Sequence, residues 1–182
     1  MFYGLNTGAH HSDRPYPMFM NVPGLKVVVP ASPSDAKGLR RSAVDSNDPV
    51  LIFEACPLWG MKEEVDEAEY RIPFGVARVR RQGDDVTVVA ISGSVPLTLK
   101  AAEVVAAEGI SVEVIDPRTL VPLDSRTIVN SVRRTGRLVI ADPAHQGDQG
   151  GHRHPTGAAR RLGTAGPGSA RRQGSRRVQV QR

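Results

Sequence analysis

The sequence predicts an α/β fold with a mainly parallel, doubly wound sheet. Its strands are short and apolar: Leu25–Val29 contains one polar residue, Lys26, and Val86–Ile91 contains only Thr87, as expected of central strands covered on both faces. Helices that begin at a capping serine or aspartate alternate with the strands. Alternation over short loops is typical of parallel strands with helices on both faces of the sheet.

The first strand–helix–strand segment has a clearly marked helix start. After the strand Leu25–Val29, Ser32 can cap the free N–H groups of a helix at Pro33–Val44, whose first residue is a proline. Asp35 adds negative charge at the positive end of the helix dipole. A second strand is predicted at Val50–Glu54. Because a single βαβ unit rarely makes a stable sheet by itself, this segment needs further strands.

A polar connector, residues 62–71, leads to a second set of elements. Strands are predicted at Gly75–Arg81 and Val86–Ile91. Ser94 caps the next helix, and Gly109 ends it. We expect this helix to pack on the sheet through an apolar face made of Leu97, Ala101, Val104 and Val105.

Three more elements complete the second set. A strand is predicted at Val112–Asp116, and Asp124 caps a helix that Gly136 closes. The last strand is predicted at Leu138–Ala141. The pattern therefore predicts two α/β units, residues 1–66 and residues 67–142.

The composition changes abruptly after residue 142. Residues 143–182 contain eight arginines, one acidic residue and eight glycines, whereas residues 1–142 hold 16 basic and 18 acidic residues, so the net charge of +5 comes from the tail. This tail has neither helical nor strand periodicity, and we predict that it is disordered. Its arginines could bind phosphate backbones. However, it has no aromatic residue on which bases could stack, so we do not expect nucleic acid as a partner.

The sequence also bounds the location of the protein. No apolar run approaches the roughly 18 residues that span a bilayer, and no signal-peptide pattern opens the chain. With one cysteine, Cys56, the chain cannot form an internal disulfide. We therefore expect a cytoplasmic protein without membrane contact.

Five ordered pieces of sequence carry a resemblance to a known family. They are GAHHSD (Gly8–Asp13), PGLKVVVPASPSDAKGL (Pro23–Leu39), DPVLIFE (Asp48–Glu54), GISVEVIDPRTLVPLD (Gly109–Asp124) and SVRRTGRLVIAD (Ser131–Asp142). In this order and spacing they resemble the β subunit of the decarboxylating component of 2-oxo acid dehydrogenase complexes. That group includes the pyruvate, branched-chain 2-oxo acid and acetoin dehydrogenases, which are thiamine-diphosphate enzymes of the transketolase-like superfamily.

The resemblance implies a domain arrangement, cofactors and partners. Residues 1–66 would be the C-terminal part of a pyrimidine-binding domain, and residues 67–142 a transketolase C-terminal-type domain. Family members use thiamine diphosphate with magnesium, shared with an α subunit in an α2β2 heterotetramer. They decarboxylate a 2-oxo acid oxidatively and pass its acyl group to a lipoyl-bearing acyltransferase. The alternatives are a non-catalytic α/β scaffold and a nucleic-acid-binding protein that uses the basic tail.

His11 matches the family's active-site histidine in the piece GAHHSD. The resemblance implies that it lies near the cofactor and the incoming lipoyl group, where it orients substrate and transfers protons. An imidazole is suited to this role because it titrates near neutral pH. Taken alone, a histidine in such a Gly/Ala-rich loop is also consistent with a packed or surface side chain. No residue here matches the family's cofactor-activating glutamate, and none is assigned to cofactor binding.

The loop after the first helix matches a family site for a monovalent cation, usually potassium. The match places the ligands at the backbone carbonyls of Ala43, Val44, Ser46 and Asp48. Oxygen ligands of this kind suit a hard cation. The spacing alone would indicate an ordinary helix-to-strand loop.

Two further interpretations concern single features of the chain. Arg118, in IDPRTL, is interpreted as an interface or internal ion-pair residue. From Pro143 onward the chain departs from the family pattern, with a composition expected of GC-rich DNA read out of frame. We hypothesise a frameshift at this point, and we interpret the chain as a fragment of the family's β subunit.

Overall fold

The structure is a computed structural model that describes residues 14–143. The tail, residues 144–182, and His11 lie outside the described residues. In chain order the elements are α1 (Tyr16–Phe19), β1 (Lys26–Val28), α2 (Pro33–Val44), β2 (Val50–Ile52), a 3₁₀ turn (Cys56–Leu58), β3 (Arg78–Arg81), β4 (Val86–Ala90), α3 (Ser94–Ala106), β5 (Val112–Asp116), β6 (Thr119–Val121), α4 (Ser125–Thr135) and β7 (Leu138–Ala141).

The first sheet has three strands in the order β2-β1-β6. Strands β1 and β2 pair in parallel, joined by α2, whereas β6 pairs antiparallel with β1. Helix α2 has the predicted bounds, and the Ser32 hydroxyl accepts a hydrogen bond from the backbone N–H of Asp35, as the sequence predicts for a helix cap. The third strand of this sheet therefore comes from a part of the chain about 90 residues beyond β1, the strand with which it pairs.

The second sheet has four strands in the order β3-β5-β4-β7. Strands β5, β4 and β7 are parallel, and β3 is an antiparallel edge. Helix α3 packs against Val88 of β4, while Ser131 and Thr135 of α4 hydrogen-bond to the neighbouring Thr87. Because successive side chains of a strand point to opposite faces, the two helices cover opposite faces of the sheet. The predicted doubly wound α/β class is confirmed.

Several strands are shorter than predicted, and one was not predicted at all. The observed strands leave out some residues at the ends of the predicted strands, namely residues 25, 29, 53–54, 75–77 and 91. Isolated hydrogen bonds still extend the pairing, as when the N–H of Val29 donates to the carbonyl of Arg118 at 2.9 Å. Strand β6 escaped prediction because it has three residues and is followed directly by Pro122.

The predicted apolar face of α3 is wrong for three of its four residues. Leu97 and Val104 are 65% and 66% exposed and Ala101 is exposed, whereas Val105 packs against the core as predicted and Val95 and Ala102 are buried. Most positions of this helix are apolar, so the sequence offers two stripes at helical spacing, and periodicity does not choose between them. The helix also begins at Ser94 itself, after Gly93, without a side-chain cap.

Two clusters of buried side chains form the core. One lies between α3 and the second sheet and includes Val95, Ala102, Val112 and Val114. The other lies on the first sheet and comprises Tyr16, Val27, Val29, Ile91 and Leu120. Ile91 and Leu120 come from the second part of the chain, so the core of the first sheet is shared between both parts.

Candidate functional site

Tyr16, five residues after His11 in the sequence, is held firmly in place. Tyr16 is 1% exposed, its hydroxyl donates a hydrogen bond to the carboxylate of Asp142, and its ring packs edge-on against Phe53 at 5.9 Å between centroids. Because Asp142 directly follows β7, this contact joins the start of the described chain to its end. The segment that follows His11 in the sequence is thus fixed at Tyr16, at the boundary of both sheets.

The predicted cation loop lies between the C-terminal end of α2 and β2. The carbonyl of Ala43 accepts a hydrogen bond from the N–H of Ser46 at 3.2 Å, and the carbonyl of Asp48 accepts one from the Ser46 hydroxyl at 3.1 Å. Within residues 14–143, no hydrogen bond reaches the carbonyls of Val44 and Ser46. Each carbonyl oxygen has two lone pairs. The carbonyls of Val44, Ser46 and Asp48 therefore keep at least one lone pair for another ligand. The carbonyl of Ala43 already accepts from the N–H groups of both Ser46 and Asp45.

The side chains of the cation loop are held by Lys26 of β1. Its ammonium lies 2.9 Å from the Ser46 hydroxyl and 3.0 Å from the Asp48 carboxylate, and 5.4 Å from the centre of the Phe74 ring. The side-chain oxygens of Ser46 and Asp48 are thus already paired with a positive charge. A cation bound here would have to be held by the main chain.

A buried cluster of charges joins α2 to the second sheet. Asp35 is fully buried, and its carboxylate lies 3.2 Å from the guanidinium of Arg80 and 3.5 Å from that of Arg118. It also accepts a hydrogen bond from the Ser32 hydroxyl at 2.7 Å. Arg78 lies at the edge of the cluster, 3.9 Å from Asp35. We call Asp35, Arg80, Asp116 and Arg118 the Asp–Arg junction.

Asp116 is the second buried carboxylate of the Asp–Arg junction. One of its oxygens accepts a hydrogen bond from the N–H of Arg118 at 3.0 Å, and the other has no hydrogen-bond partner among the described residues and lies 4.0 Å from Arg80. The guanidinium of Arg118 donates two hydrogen bonds to the carbonyl of Val76. The interpretation of Arg118 as an internal ion-pair residue is confirmed.

Sequence reasoning placed Asp35 only at the helix start and did not bring it together with Asp116. The two residues are 81 positions apart, and no local pattern relates them. One signal was present: Asp116 lies at the carboxyl end of β5, where open α/β sheets bind their ligands. The pairing of β3 with β5 brings Arg80 close to Asp116, and short-range sequence patterns do not show this pairing.

Other classes of site are absent from residues 14–143. No group of three or more histidine, cysteine, aspartate or glutamate side chains in this part of the chain could hold a metal ion. Among the same residues, no helix has the length and apolar character that a bilayer crossing requires.

Two sequence families match the chain in succession. Residues 1–59 match the pyrimidine-binding domain of transketolase, and residues 75–147 match the transketolase C-terminal domain. Residues 60–74, which include the whole polar connector, lie between the two matches. The described residues 14–143 lie within one compact unit.

Individual relatives show which members of this family the chain is similar to. The chain is 46% identical over 142 residues to the β subunit of acetoin:2,6-dichlorophenolindophenol oxidoreductase of Bacillus subtilis, covering 78% of this chain and 42% of that protein. It is 44% identical over 144 residues to the pyruvate dehydrogenase E1 component β subunit of Staphylococcus epidermidis, covering 79% of this chain and 44% of the relative. The chain thus spans less than half of the length of these relatives.

A solved structure supports the same placement. A split-gene transketolase, described as an inactive β4 tetramer, superposes with a TM-score of 0.63 at 32% identity, covering 72% of this chain and 43% of that one. Fold, domain matches and sequence identity agree. The chain belongs to the transketolase-like family, in which its sequence is similar to the β subunits of 2-oxo acid dehydrogenases.

Proposed function

We propose that the chain acts as β subunit in the decarboxylating component of a 2-oxo acid dehydrogenase. In the proposed reaction a 2-oxo acid loses CO₂, and its acyl group passes to the lipoyl group of an acyltransferase. The observation that carries the proposal is 44% identity over 144 residues to the β subunit of a pyruvate dehydrogenase E1 component, together with 46% identity over 142 residues to the β subunit of an acetoin:2,6-dichlorophenolindophenol oxidoreductase. Residues 1–66 and 67–142 would be its two domains, and its location would be the cytoplasm.

The proposed cofactor is thiamine diphosphate with magnesium, shared with an α subunit in an α2β2 heterotetramer. When bound, this cofactor supplies the nucleophilic carbon that decarboxylation of a 2-oxo acid requires. We assign it no ligand among residues 14–143. The proposed catalytic residue is His11, whose imidazole would orient the substrate and move a proton. Tyr16 supports this assignment, because it fixes the chain five residues after His11.

We further propose that potassium binds the carbonyls of Ala43, Val44, Ser46 and Asp48. The free lone pairs on the carbonyls of Val44, Ser46 and Asp48 suit a hard cation, and the Ala43 carbonyl would have to give up a hydrogen bond to join them. Lys26 already neutralises the Asp48 carboxylate, so the site offers neutral oxygens, which favour a monovalent ion over a divalent one. Potassium chloride should raise the unfolding temperature above the value in equal concentrations of choline chloride. Equal unfolding temperatures in the two salts would remove the ion from the proposal.

The proposed function can be tested by reconstitution with an α subunit. The full chain is mixed with the α subunit of a pyruvate or acetoin dehydrogenase, thiamine diphosphate and magnesium. Complex formation is measured by size-exclusion chromatography with light scattering, and turnover by reduction of 2,6-dichlorophenolindophenol. We expect a stable complex whose dye reduction requires both the cofactor and a 2-oxo acid or acetoin.

Two variants sharpen this test. His11→Ala should leave the complex intact and reduce dye reduction at least 10²-fold, as expected on removal of a proton-transfer group. His10→Ala is the matched control and should retain most of the activity. A complex without turnover would instead favour the non-catalytic scaffold, and failure to bind any α subunit would overturn the proposed function.

A further inference from the structure

The Asp–Arg junction connects α2 with the second sheet. Asp35 comes from α2, Arg80 from β3, Asp116 from β5, and Arg118 from the turn between β5 and β6. All contacts run between residues at least 36 positions apart, except those within the β5–β6 turn and at the start of α2. This buried group of charges therefore ties α2 to the second sheet.

The two carboxylates of the junction are not equally satisfied. Asp35 has a hydrogen bond from Ser32 and two guanidinium groups within 3.5 Å. One oxygen of Asp116 has no hydrogen bond, and its closest guanidinium nitrogen, on Arg80, lies 4.0 Å away and closer to Asp35. A buried oxygen without a partner is costly when it carries negative charge, and far less costly when it carries a proton.

We propose that the Asp–Arg junction is a proton-operated latch, in which a protonated Asp116 holds α2 against β3 and β5. In that state Arg80 and Arg118 pair with the single charged carboxylate of Asp35. Loss of the proton places a second buried negative charge beside Asp35, and the two carboxylates then compete for Arg80. The latch is therefore tight with the proton bound and weakened without it.

The charges around Asp116 agree with this direction. Burial, followed by the negative charge of Asp35, raises the pKa of Asp116 to about 7. The backbone N–H of Arg118 and the positive charges of Arg80 and Arg118 act in the opposite direction and are outweighed. The charged groups around Asp116 are Asp35 from α2, Arg80 from β3, Arg118 from the β5–β6 turn, and Arg78, which is opposite Asp116 in the register of β3 with β5.

The pKa of Asp116 fixes the pH range of the latch. An aspartate in the unfolded chain titrates near 3.9, so the folded protein binds more protons than the unfolded chain between about pH 4 and pH 7. The contribution of Asp116 to stability is therefore complete below this range and declines as the pH rises. Above about pH 7 Asp116 no longer contributes to stability, and the free energy of unfolding stops changing with pH on its account.

The first test is the pH dependence of unfolding in the full chain and in Asp116→Asn. The unfolding equilibrium constant of the unaltered chain should rise roughly tenfold per pH unit from pH 5 to 6.5 and level off above pH 7. Asp116→Asn, which is neutral at every pH, should lose this dependence and be more stable than the unaltered chain at pH 8. Identical pH profiles for the two proteins would overturn the proposal.

A matched control is Glu113→Gln, which removes another buried carboxylate of β5. Glu113 is 4% exposed and pairs with Arg134, outside the Asp–Arg junction. This variant should be less stable than the unaltered chain but should keep its pH dependence between pH 5 and 7. A flattened profile in this control would show that the dependence does not come from the latch.

A second measurement needs no variant and remains decisive if Asp116→Asn does not fold. Hydrogen exchange of backbone amides, corrected for the intrinsic effect of pH, is compared at pH 6 and pH 8 in the full chain. Amides of α2 and β6 should lose protection at pH 8, while those of β4 should change little. Equal changes in all three elements, or none, would contradict a latch between α2 and the second sheet.

Discussion

The two sheets of this chain differ in where their strands come from. The second sheet, β3-β5-β4-β7, is built from residues 78–141, and its strands are adjacent or nearly adjacent in sequence. The first sheet, β2-β1-β6, takes two strands from residues 26–52 and the third from residues 119–121. The second sheet is therefore formed from one continuous part of the chain. The first sheet is complete only when β6, which is distant in sequence, pairs with β1.

The difference extends to what holds each sheet in place. The second sheet has a helix on each face and an apolar core under α3. The core of the first sheet includes Ile91 and Leu120, which come from the second part of the chain. Buried charges join the first sheet to the second. Apolar packing tolerates small shifts, whereas a buried ion pair needs both partners in place. The first sheet should therefore be the more easily disrupted of the two.

The largest expected effect comes from separating the two parts of the chain. Residues 74–143 expressed alone should retain strands β3, β4, β5 and β7 and unfold cooperatively. Residues 14–73 alone would have a two-stranded sheet without β6, which is too small to be stable in water. Circular dichroism during heating distinguishes the two outcomes. A cooperative transition in residues 14–73 would contradict the dependence of the first sheet on the second.

Arg80→Met should produce the next largest effect. It leaves Asp35 and Asp116 buried with one cation fewer, and breaking a buried pair costs about 3 kcal/mol of unfolding free energy. Arg71→Met is the matched control, because Arg71 pairs with Asp45 at an exposed site, where such pairs contribute about 0.5 kcal/mol. Urea unfolding of both variants checks the contrast. Equal losses would show that burial of the junction has no energetic consequence.

The comparison also explains which parts of the structure the sequence predicts. Helix α2 was predicted to the residue because Ser32, Pro33 and Asp35 each favour a helix start through local chemistry. The end of α4 was equally clear, since Gly136 adopts the left-handed conformation that closes a helix. Signals of this kind act within one turn of the chain and do not depend on the rest of the fold.

Features that depend on distant partners were predicted poorly. Nothing within Thr119–Val121 indicates that it pairs with β1, and the burial of Asp35 depends on Arg80 and Arg118. The packing face of α3 was mostly predicted wrongly because both stripes of the helix are apolar. Only contact with Val112 and Val114 determines which stripe is buried. The predicted cation loop was located correctly between α2 and β2, and its ligand role stays a prediction.

Gly83→Ala tests the tight packing of the second sheet. A Cβ at this position would lie 2.2 Å from the carbonyl carbon of Val112 and 2.4 Å from the N atom of Glu113, so the backbone of β5 would have to move. We expect a loss of about 2 kcal/mol in unfolding free energy. Gly60→Ala is the control, because a Cβ there meets no atom within 4 Å, and it should change stability little. Similar effects in both variants would contradict this packing.

The smallest expected effect concerns the cap of α4, and it has the opposite pH dependence to the latch. The Asp124 carboxylate accepts hydrogen bonds from the N–H groups of Thr127 and Ala77, each at 3.0 Å. Burial acts to raise the pKa of Asp124, but the hydrogen bonds from Thr127 and Ala77 and the charge of Arg126 outweigh it, so the pKa is lowered. Asp124→Ala should cost about 1 kcal/mol at pH 7.

Because the pKa of Asp124 is lowered on folding, its stabilising effect is present above about pH 4 and is lost as the pH falls through the folded value. The difference between the unaltered chain and Asp124→Ala in urea unfolding should therefore shrink at pH 3. Asp124→Asn, which keeps a capping oxygen without the charge, should show a smaller difference at pH 7. A constant difference from pH 7 to pH 3 would rule out the charged cap. If both pH effects are found, acid weakens the second sheet at α4, whereas alkali weakens its junction with the first.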